Sequence, residues 1–300
     1  MQAEFPIFSG IQSFSATGAY RGLPIAKEYP LNSFISLLQS YPDWLVLTGA
    51  GVSAESGVPT YRDSEGQWQR KQPVTHQEFM ADHSSRQRFW SRNMVGWRFM
   101  VEAQPNDAHQ ALVQLEQLGV VSCLVTQNVD GLHQRAGSRN VIDLHGRVDT
   151  LSCMTCGIQY PRAPLQLWLE NHNPEYALLA GGIAPDGDAD IDHLDYSTMK
   201  IPHCQHCRGI IKPNAVFYGD SIPKQRVMQA EQAMQSAAGL LVVGSSLMTY
   251  SGYRFCLWAQ RQGKPILLLN DGKTRADERA TARMGGSCST VLQSWLGDLG

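Results

Sequence analysis

Short runs of apolar residues alternate with amphipathic segments along most of this chain. Five runs have the length and composition of buried strands, at residues 44–47, 120–126, 141–144, 240–243 and 266–269. Between them, apolar residues recur three and four positions apart, which predicts helices near 31–38, 106–118, 224–237 and 250–262. Strands that alternate with helices are joined by right-handed crossovers, so we expect a parallel sheet covered by helices on both faces.

Two segments interrupt this alternation. Residues 67–104 are rich in arginine and aromatic residues and look helical, so we expect a helical insertion whose aromatics form a small core or the wall of a substrate pocket. Residues 148–212 lose the pattern and contain cysteine pairs and turn residues. The predicted fold class is therefore α/β, a Rossmann-like doubly wound parallel sheet formed by residues 29–66, 105–147 and 213–300 with two insertions.

The cysteines of the second insertion occur as two C-x₂-C pairs, Cys153 with Cys156 and Cys204 with Cys207. Four soft thiolates suit a closed tetrahedral Zn²⁺ site that leaves no open position for catalysis. The 47 residues between the pairs exceed the usual spacing, which we attribute to a loop within the module. Redox-active cysteines are the alternative, although a redox motif needs only one pair. The sequence therefore predicts one structural Zn²⁺ in a small zinc-ribbon module over residues 148–212.

Small residues follow the first predicted strand. Gly49, Ala50, Gly51 and Ser53 can expose several N–H groups at the start of a helix, which is an arrangement that binds phosphate. The match to the dinucleotide fingerprint G-x-G-x-x-G is incomplete, because Ala54 takes the last place and no acidic residue follows about 20 residues later to hold a ribose. This stretch predicts a dinucleotide site and argues against ordinary hydride transfer.

Polar or small residues also follow the other predicted strands. Asn128 and Asp130 come after the second strand and can hydrogen-bond ribose hydroxyls or a carboxamide, although such residues also make turns. His145 comes after the third strand, and a neutral imidazole can accept a proton, although a single histidine is often structural. Residues 244–246 and 270–272 end the last two strands in the same way. The convergence of these strand ends is more specific than the first glycine loop alone.

Composition narrows the function classes. The formal net charge of −2 gives no field for capturing nucleic acid, and no run approaches the roughly 18 apolar residues of a membrane span. Residues 1–28 read as an irregular arm without the basic and apolar regions of a signal peptide. Seven cysteines then indicate reduced thiols or metal ligands. We expect a cytoplasmic monomer with neither nucleic-acid nor membrane partners.

These motifs resemble those of the sirtuins, a family of NAD-dependent protein deacylases and ADP-ribosyltransferases. The resemblance covers roughly residues 30–295. It rests on six motifs: residues 49–63, 126–130 and 144–146, the four cysteines, residues 212–219 and residues 244–246. Within the family the chain resembles the bacterial-type members of the class II branch, which also includes a mitochondrial protein, at residues 87–97, 184–188 and 250–255.

The resemblance implies that NAD is a co-substrate lying across the carboxyl edge of the sheet. The implied NAD contacts are Gly49, Ala50, Gly51, Ser53, Glu55, Gly57, Pro59, Tyr61, Arg62, Gln127, Asn128, Val129, Asp130, Gly244, Ser245, Ser246, Asn270, Asp271, Gly272 and Cys288. An acyl-lysine protein or peptide is implied to pair its backbone with Val216, Phe217, Tyr218 and Gly219. The implied catalytic residues are His145, Asn128 and Asp130. His145 would act as the general base that deprotonates a ribose hydroxyl, and the products would be nicotinamide and O-acyl-ADP-ribose.

Alternatives stay open at this point. Protein ADP-ribosyl transfer or lipoamidase-type activity could be the main reaction at the same site. A zinc-ribbon interaction module on a nucleotide-sensing fold, without catalysis, and a dehydrogenase are the two other classes. The preferred acyl group is also open, since Arg70, Arg92 or Arg98 could contact an acidic acyl end.

Overall fold

The computed structural model describes residues 28–60, 73–179, 188, 189, 191 and 195–299. Its strands are β1 (Trp44–Thr48), β2 (Val121–Thr126), β3 (Val141–Asp143), β4 (Thr150–Cys153), β5 (Gln159–Pro161), β6 (Ile211–Pro213), β7 (Gly239–Val243), β8 (Ile266–Leu269) and β9 (Ala282–Met284). Its α-helices are α1 (Leu31–Gln39), α2 (His76–Ala81), α3 (His83–Glu102), α4 (Asp107–Gln117), α5 (Leu132–Ala136), α6 (Arg162–His172), α7 (Pro174–Ala177), α8 (Lys224–Ser236), α9 (Tyr250–Arg261) and α10 (Cys288–Gly297). Two short 3₁₀ helices span Ala50–Ser56 and Asp277–Arg279.

Six strands form one parallel sheet in the order β3-β2-β1-β7-β8-β9. The two faces of β1 pack against different helices. Trp44 and Val46 lie in a buried cluster with residues of α1, α4 and α10, whereas Leu45 and Leu47 lie in a second cluster with residues of α8 and α9. A parallel strand covered on both faces requires this alternation. The predicted α/β fold with a doubly wound parallel sheet is therefore confirmed.

The strand order reverses between β1 and β7, because β2 and β3 extend the sheet on one side while β8 and β9 extend it on the other. Ligands bind at such a switch point, outside the carboxyl ends of the strands. The loops that leave β1 and β7 cross there, and the N–H of Gly51 donates to the carbonyl of Gly244 at 2.8 Å. Gly244 has φ +61°, and a Cβ on it would lie 2.3 Å from the amide nitrogen of Val52. Glycine is thus required where the two loops meet.

A second, smaller sheet carries the cysteine module. Strands β5, β4 and β6 pair antiparallel in that order. Trp90 of α3, Leu151 of β4 and Leu169 of α6 share one buried cluster, so the helical insertion packs on this sheet. The Cys-bearing sheet fits the predicted zinc module, while the predicted module boundaries stay predictions.

The described part of the helical insertion, residues 73–104, contains the two helices α2 and α3. Asp82 interrupts it with an extended backbone (φ −116°, ψ 131°), and its carboxylate accepts a hydrogen bond from the N–H of Ser85 to start α3. Thr75 and Glu78 form a capping box at the start of α2. All but the last residue of the arm predicted at 1–28 lies outside the described residues, as do residues 61–72, which include Arg70.

Strand β9 and helix α10 were not predicted from the sequence. Helix α10 packs against α1 and α4 and contributes Val291, Leu292 and Trp295 to the core. Among the described residues, no helix is both long and apolar enough to cross a membrane.

Candidate active site

A cleft of about 1130 Å³ opens at the carboxyl edge of the large sheet, beside the strand-order reversal. Its volume suits a large organic ligand. The sequence-predicted residues that line it are Gly49, Ala50, Gly51, Glu55, Gln127, Asn128, Val129, Asp130, His145, Val216, Phe217, Tyr218, Gly219, Gly244, Ser245, Ser246, Asn270, Asp271 and Cys288. Ser53, Gly57, Pro59 and Gly272 are not part of the lining, and Tyr61 and Arg62 lie outside the described residues. Five strand ends that are far apart in sequence thus converge on one cavity.

His145 directly follows β3 and is held at both ring nitrogens. Its Nδ1 lies 2.9 Å from the carbonyl oxygen of Gln127, and its Nε2 lies 2.8 Å from Oγ of Ser251. A carbonyl can only accept, so Nδ1 carries the proton and Nε2 holds the lone pair. Burial, and more weakly the charge of Arg226, lower the pKa of His145 to about 4, against the opposing effect of the Gln127 carbonyl. The ring is therefore neutral at physiological pH, with a proton-accepting nitrogen at the cleft.

Ser251 is a site residue that sequence analysis did not single out for chemistry. It lies in the first turn of α9 and lines the cleft. It is 106 residues from His145 in sequence, so no local spacing pairs the two. Its position shortly after the small residues that follow β7 was the available signal.

Asn128 and Asp130 form one network with Ser53. The Asn128 Nδ2 group donates to the carbonyl of Gly49 at 3.1 Å and to Oγ of Ser53 at 3.0 Å. The Ser53 hydroxyl donates to Asp130 Oδ2 at 2.8 Å, and the N–H of Leu132 donates to Asp130 Oδ1 at 2.9 Å. Because its donors are held by the protein, Asn128 presents its Oδ1 acceptor to a ligand. Ser53 acts behind the cleft surface by fixing these two side chains.

The side chain of Gln127 ties neighbouring loops together. Its Nε2 donates to Oγ of Ser245 at 2.7 Å, and its Oε1 accepts from the Thr249 hydroxyl at 3.3 Å. A Cβ on Gly252 would lie 2.5 Å from Oε1, so the start of α9 packs directly on this side chain. Gln127 therefore acts on the site chiefly by positioning α9 and His145.

The segment Val216 to Gly219 is anchored from both sides. The N–H of Val216 donates to the carbonyl of His145 at 2.7 Å, and the N–H of His76 donates to the carbonyl of Tyr218 at 2.8 Å. Gln77 Nε2 donates to the carbonyl of Gly219 at 2.9 Å. These three backbone groups are already paired, so a peptide would have to use the others.

Lys212 is a buried side chain that contacts the residues on both sides of the segment Val216 to Gly219. It is only 4 % exposed, and its Nζ donates to the carbonyl of Ala215 at 2.6 Å. Nζ also lies 3.2 Å from Asp220 Oδ2 and 4.2 Å from the centre of the Phe217 ring. Burial lowers the pKa of Lys212, while Asp220 opposes that shift. A single ammonium group thus connects Ala215, Phe217 and Asp220, which lie before, within and after the segment Val216 to Gly219.

The arginine contacts expected for an acidic acyl end are not found at the described positions. Arg98 forms an ion pair with Glu170 at 3.0 Å, and Arg92 donates to the carbonyl of Ala189 at 2.9 Å. Neither lines the cleft, whereas Asn93 and the buried carboxylate of Asp188 do. Helix α3 turns both side chains toward protein partners, so the structure gives no support to an acidic acyl contact at Arg92 or Arg98, and the preferred acyl group stays open.

Glu55 lies at the other end of the cleft, beside the start of α10. Its carboxylate accepts from the hydroxyls of Ser289 and Ser287, and these bonds hold its pKa below the ordinary value. Cys288 lines the cleft between these two serines, and burial raises the pKa of its thiol to about 12. Glu55 and α10 thus form one fixed wall, with an unreactive thiol at its surface.

Cys153, Cys156, Cys204 and Cys207 meet as predicted. Their sulfur atoms all lie within 4.8 Å of one another, with Cys153 and Cys207 3.5 Å apart and Cys156 and Cys204 3.6 Å apart. Tetrahedral Zn–S bonds of about 2.3 Å require S···S distances of about 3.8 Å, so the cluster fits a closed Zn²⁺ site. The Tyr160 hydroxyl is 3.0 Å from the Cys204 sulfur and lowers the pKa of that thiol to about 6, which favours the ligating thiolate.

Comparisons with known proteins agree with this geometry. The model of the Sir2 family matches residues 49–251. The NAD-dependent protein deacetylase of Bordetella bronchiseptica is 52% identical over 247 residues, which are 82% of this chain and 90% of that protein. A solved Sir2 homologue–NAD complex matches at 27% identity with a TM-score of 0.69, covering 91% of this chain and 95% of the other. A Sir2 variant with a deacetylated p53 peptide and 3′-O-acetyl-ADP-ribose matches at 27% identity with a TM-score of 0.72, covering 90% and 98%.

Proposed function

The chain belongs to the Sir2 family and is an NAD-dependent protein deacylase, and from this premise we propose that His145 is its general base, with Asn128 and Asp130 holding the reacting ribose. The observation that carries the proposal is the state of His145. Its Nδ1–H is fixed by the Gln127 carbonyl, so the lone pair of Nε2 is directed at the cleft. A neutral imidazole in this orientation can accept a proton without first losing one.

NAD fits the cleft that these residues form. The crossing of Gly51 and Gly244 leaves no room for side chains, which brings backbone close to a ligand at the site proposed for the diphosphate. Arg254 and Lys224 also line the cleft and supply positive charge. Bound NAD supplies the electrophilic ribose carbon and nicotinamide as its leaving group. We place the adenosine near Glu55 and residues 270–272, beside Cys288.

The substrate class is an acetyl-lysine peptide or protein, in keeping with the peptide complex of the related structure. We propose that it enters along Val216, Phe217, Tyr218 and Gly219. Main-chain pairing of this kind supports affinity with little selectivity for sequence. Lys212 and His76 hold this segment rigid, so little ordering entropy is lost on binding.

The residues of the chain then perform three tasks. Asn128 and Asp130 orient the ribose hydroxyls, and Ser53 keeps both side chains in place. His145 acts as the base that accepts a proton at Nε2 when a ribose hydroxyl is deprotonated, which makes that oxygen a nucleophile toward the acyl carbon. The protonated ring keeps its Nδ1–H bond to Gln127, so the ring does not reorient during the transfer. The acyl oxygen would bond to the ribose carbon as nicotinamide leaves, and one water would restore the acyl carbonyl as the lysine amine leaves. The proposed products are therefore nicotinamide, O-acyl-ADP-ribose and the free lysine.

Substituting His145 tests this role. We expect His145→Ala to lose about 10²- to 10⁴-fold in acyl removal, which is the usual contribution of a general base. Zinc content should match the wild type, because His145 is not part of the cysteine cluster. Near-wild-type turnover of the variant would refute the assignment.

ADP-ribosyl transfer and lipoamidase-type activity use the same site, but the deacetylase relatives do not favour either as the main reaction. From the charge of −2 and the lack of a long apolar run, we also retain the proposal of a cytoplasmic monomer without nucleic-acid or membrane partners.

A further inference from the structure

The proton-accepting nitrogen of His145 already has a partner. Nε2 lies 2.8 Å from Oγ of Ser251, and Nδ1 lies 2.9 Å from the carbonyl of Gln127. Since Nδ1 must donate to the carbonyl, Nε2 is the acceptor and the Ser251 hydroxyl is the donor. A neutral imidazole nitrogen has one lone pair in the ring plane, so this bond occupies the only basic position of the ring.

Because Ser251 occupies Nε2, a ribose hydroxyl cannot pass its proton directly to His145 while that hydrogen bond is in place. It can displace the serine from Nε2, or it can pass its proton to Oγ of Ser251. Ser251 lines the same cleft as Asn128 and Asp130, which we propose hold the ribose. The hydroxyl of Ser251 is thus at the cleft and already bonded to the ring nitrogen that must receive the proton.

The framework around Ser251 keeps it in this position. It lies in the first turn of the 12-residue helix α9. The next residue, Gly252, packs so closely on Gln127 that a Cβ would lie 2.5 Å from Oε1. Gln127 in turn provides the carbonyl that orients His145. One residue, Gln127, thereby fixes both the ring and the helix that carries the serine.

We propose that Ser251 is the proton relay between the ribose of NAD and His145, an inference that rests on the proposed function. The ribose O–H bond breaks as its proton moves to Oγ of Ser251. At the same time the Ser251 hydroxyl proton moves to Nε2 of His145. The serine ends neutral, the ring becomes imidazolium with Nδ1–H still bound to Gln127, and the electron pair stays on the ribose oxygen.

The relay is tested by comparing Ser251→Ala with Ser251→Thr, which keeps a hydroxyl. We expect Ser251→Ala to slow acyl transfer by about 10- to 100-fold, because direct or water-mediated transfer replaces the relay less efficiently. Exchange of labelled nicotinamide into NAD, in the presence of acyl peptide, should stay near wild type because that step needs no proton acceptor. Ser251→Thr should recover most of the lost rate.

A spectroscopic measurement checks the hydrogen bond without catalysis. In the ligand-free protein, the ¹⁵N resonance of His145 Nε2 should move toward the value of an unbonded imidazole nitrogen in Ser251→Ala, while the Nδ1–H signal persists. An unchanged Nε2 resonance, or full acyl-transfer rate in Ser251→Ala, would overturn the relay. If His145→Ala loses activity and Ser251→Ala keeps full activity, the assignment of His145 as general base stands and the relay role of Ser251 is refuted.

Discussion

Lowering the pH provides a quantitative test of the His145 environment. Burial and Arg226 of α8 lower the pKa of His145 to about 4, and the Gln127 carbonyl only partly opposes them. Compared with an ordinary value of about 6.5, the folded protein disfavours the imidazolium by about 3 kcal/mol. At pH 6, a base with a pKa of about 4 is about 99% neutral, whereas one with a pKa of about 6.5 is only about 24% neutral. Between pH 7.5 and pH 6 the rate should therefore hardly change, instead of falling about fourfold.

The assay is kcat/KM for an acyl-lysine peptide at saturating NAD, followed between about pH 4.5 and pH 8 in buffers of constant ionic strength. The acidic limb of the profile reports the essential base of the enzyme–NAD complex, which is the form that meets the peptide, so its midpoint should lie below about pH 5. Circular dichroism at each pH shows whether the protein stays folded. An acidic midpoint between pH 6 and pH 7 in folded protein would contradict the buried, neutral imidazole described for His145.

Three further outcomes follow from the structure. Cys156→Ser should remove the bound zinc and lower the melting temperature by at least about 5 °C. Because Cys156 is exposed, lost core packing cannot account for a lower melting temperature that accompanies zinc loss. An unchanged melting temperature with zinc retained would contradict the zinc site. Lys212→Met should raise the peptide KM by about tenfold and leave the NAD KM within about twofold, because the ammonium group supports the segment Val216 to Gly219 through Ala215 and Asp220. Lys200→Met, which replaces an exposed lysine, is the matched control. Equal changes in the peptide KM and the NAD KM would refute the role of Lys212 in supporting this segment. The folded-state pKa values of His109 and His145 are both lowered to about 4, so the folded protein binds fewer protons than the unfolded chain between about pH 6.5 and pH 4. The free energy of unfolding should therefore decrease as the pH is lowered through that window, and urea titrations in which it stays constant or increases as the pH is lowered would contradict the lowered pKa values of these rings.

The sequence predicted two kinds of feature well: the buried strands, from their apolar runs, and the cysteine cluster, from its spacing. The five apolar runs correspond to β1, β2, β3, β7 and β8. Every residue of β1, β7 and β8 is buried, so these three strands read as continuous hydrophobic sequence. Two C-x₂-C pairs predicted a cluster that the structure forms, because four thiolates together suit one tetrahedral Zn²⁺. Strand β9 has three residues with Arg283 in the middle, too short and too polar to be recognised.

Long-range pairings between side chains also escaped sequence analysis. The contacts of His145 with Ser251 and of Arg98 with Glu170 join positions 106 and 72 residues apart, and no local pattern records them. Helix α10 did leave a signal. Val291, Leu292 and Trp295 recur at helical spacing after Ser287, which caps the helix through the N–H of Thr290.

The central claim is that this chain couples acyl removal from lysine to the consumption of NAD. Its most direct test is to incubate the purified protein with NAD and a panel of acyl-lysine peptides, and to quantify all products by mass spectrometry. The account predicts free lysine peptide, nicotinamide and O-acyl-ADP-ribose in equal amounts for the preferred acyl group, with none formed when NAD is omitted. Acyl release without NAD, or nicotinamide release that does not depend on an acyl peptide, would contradict it.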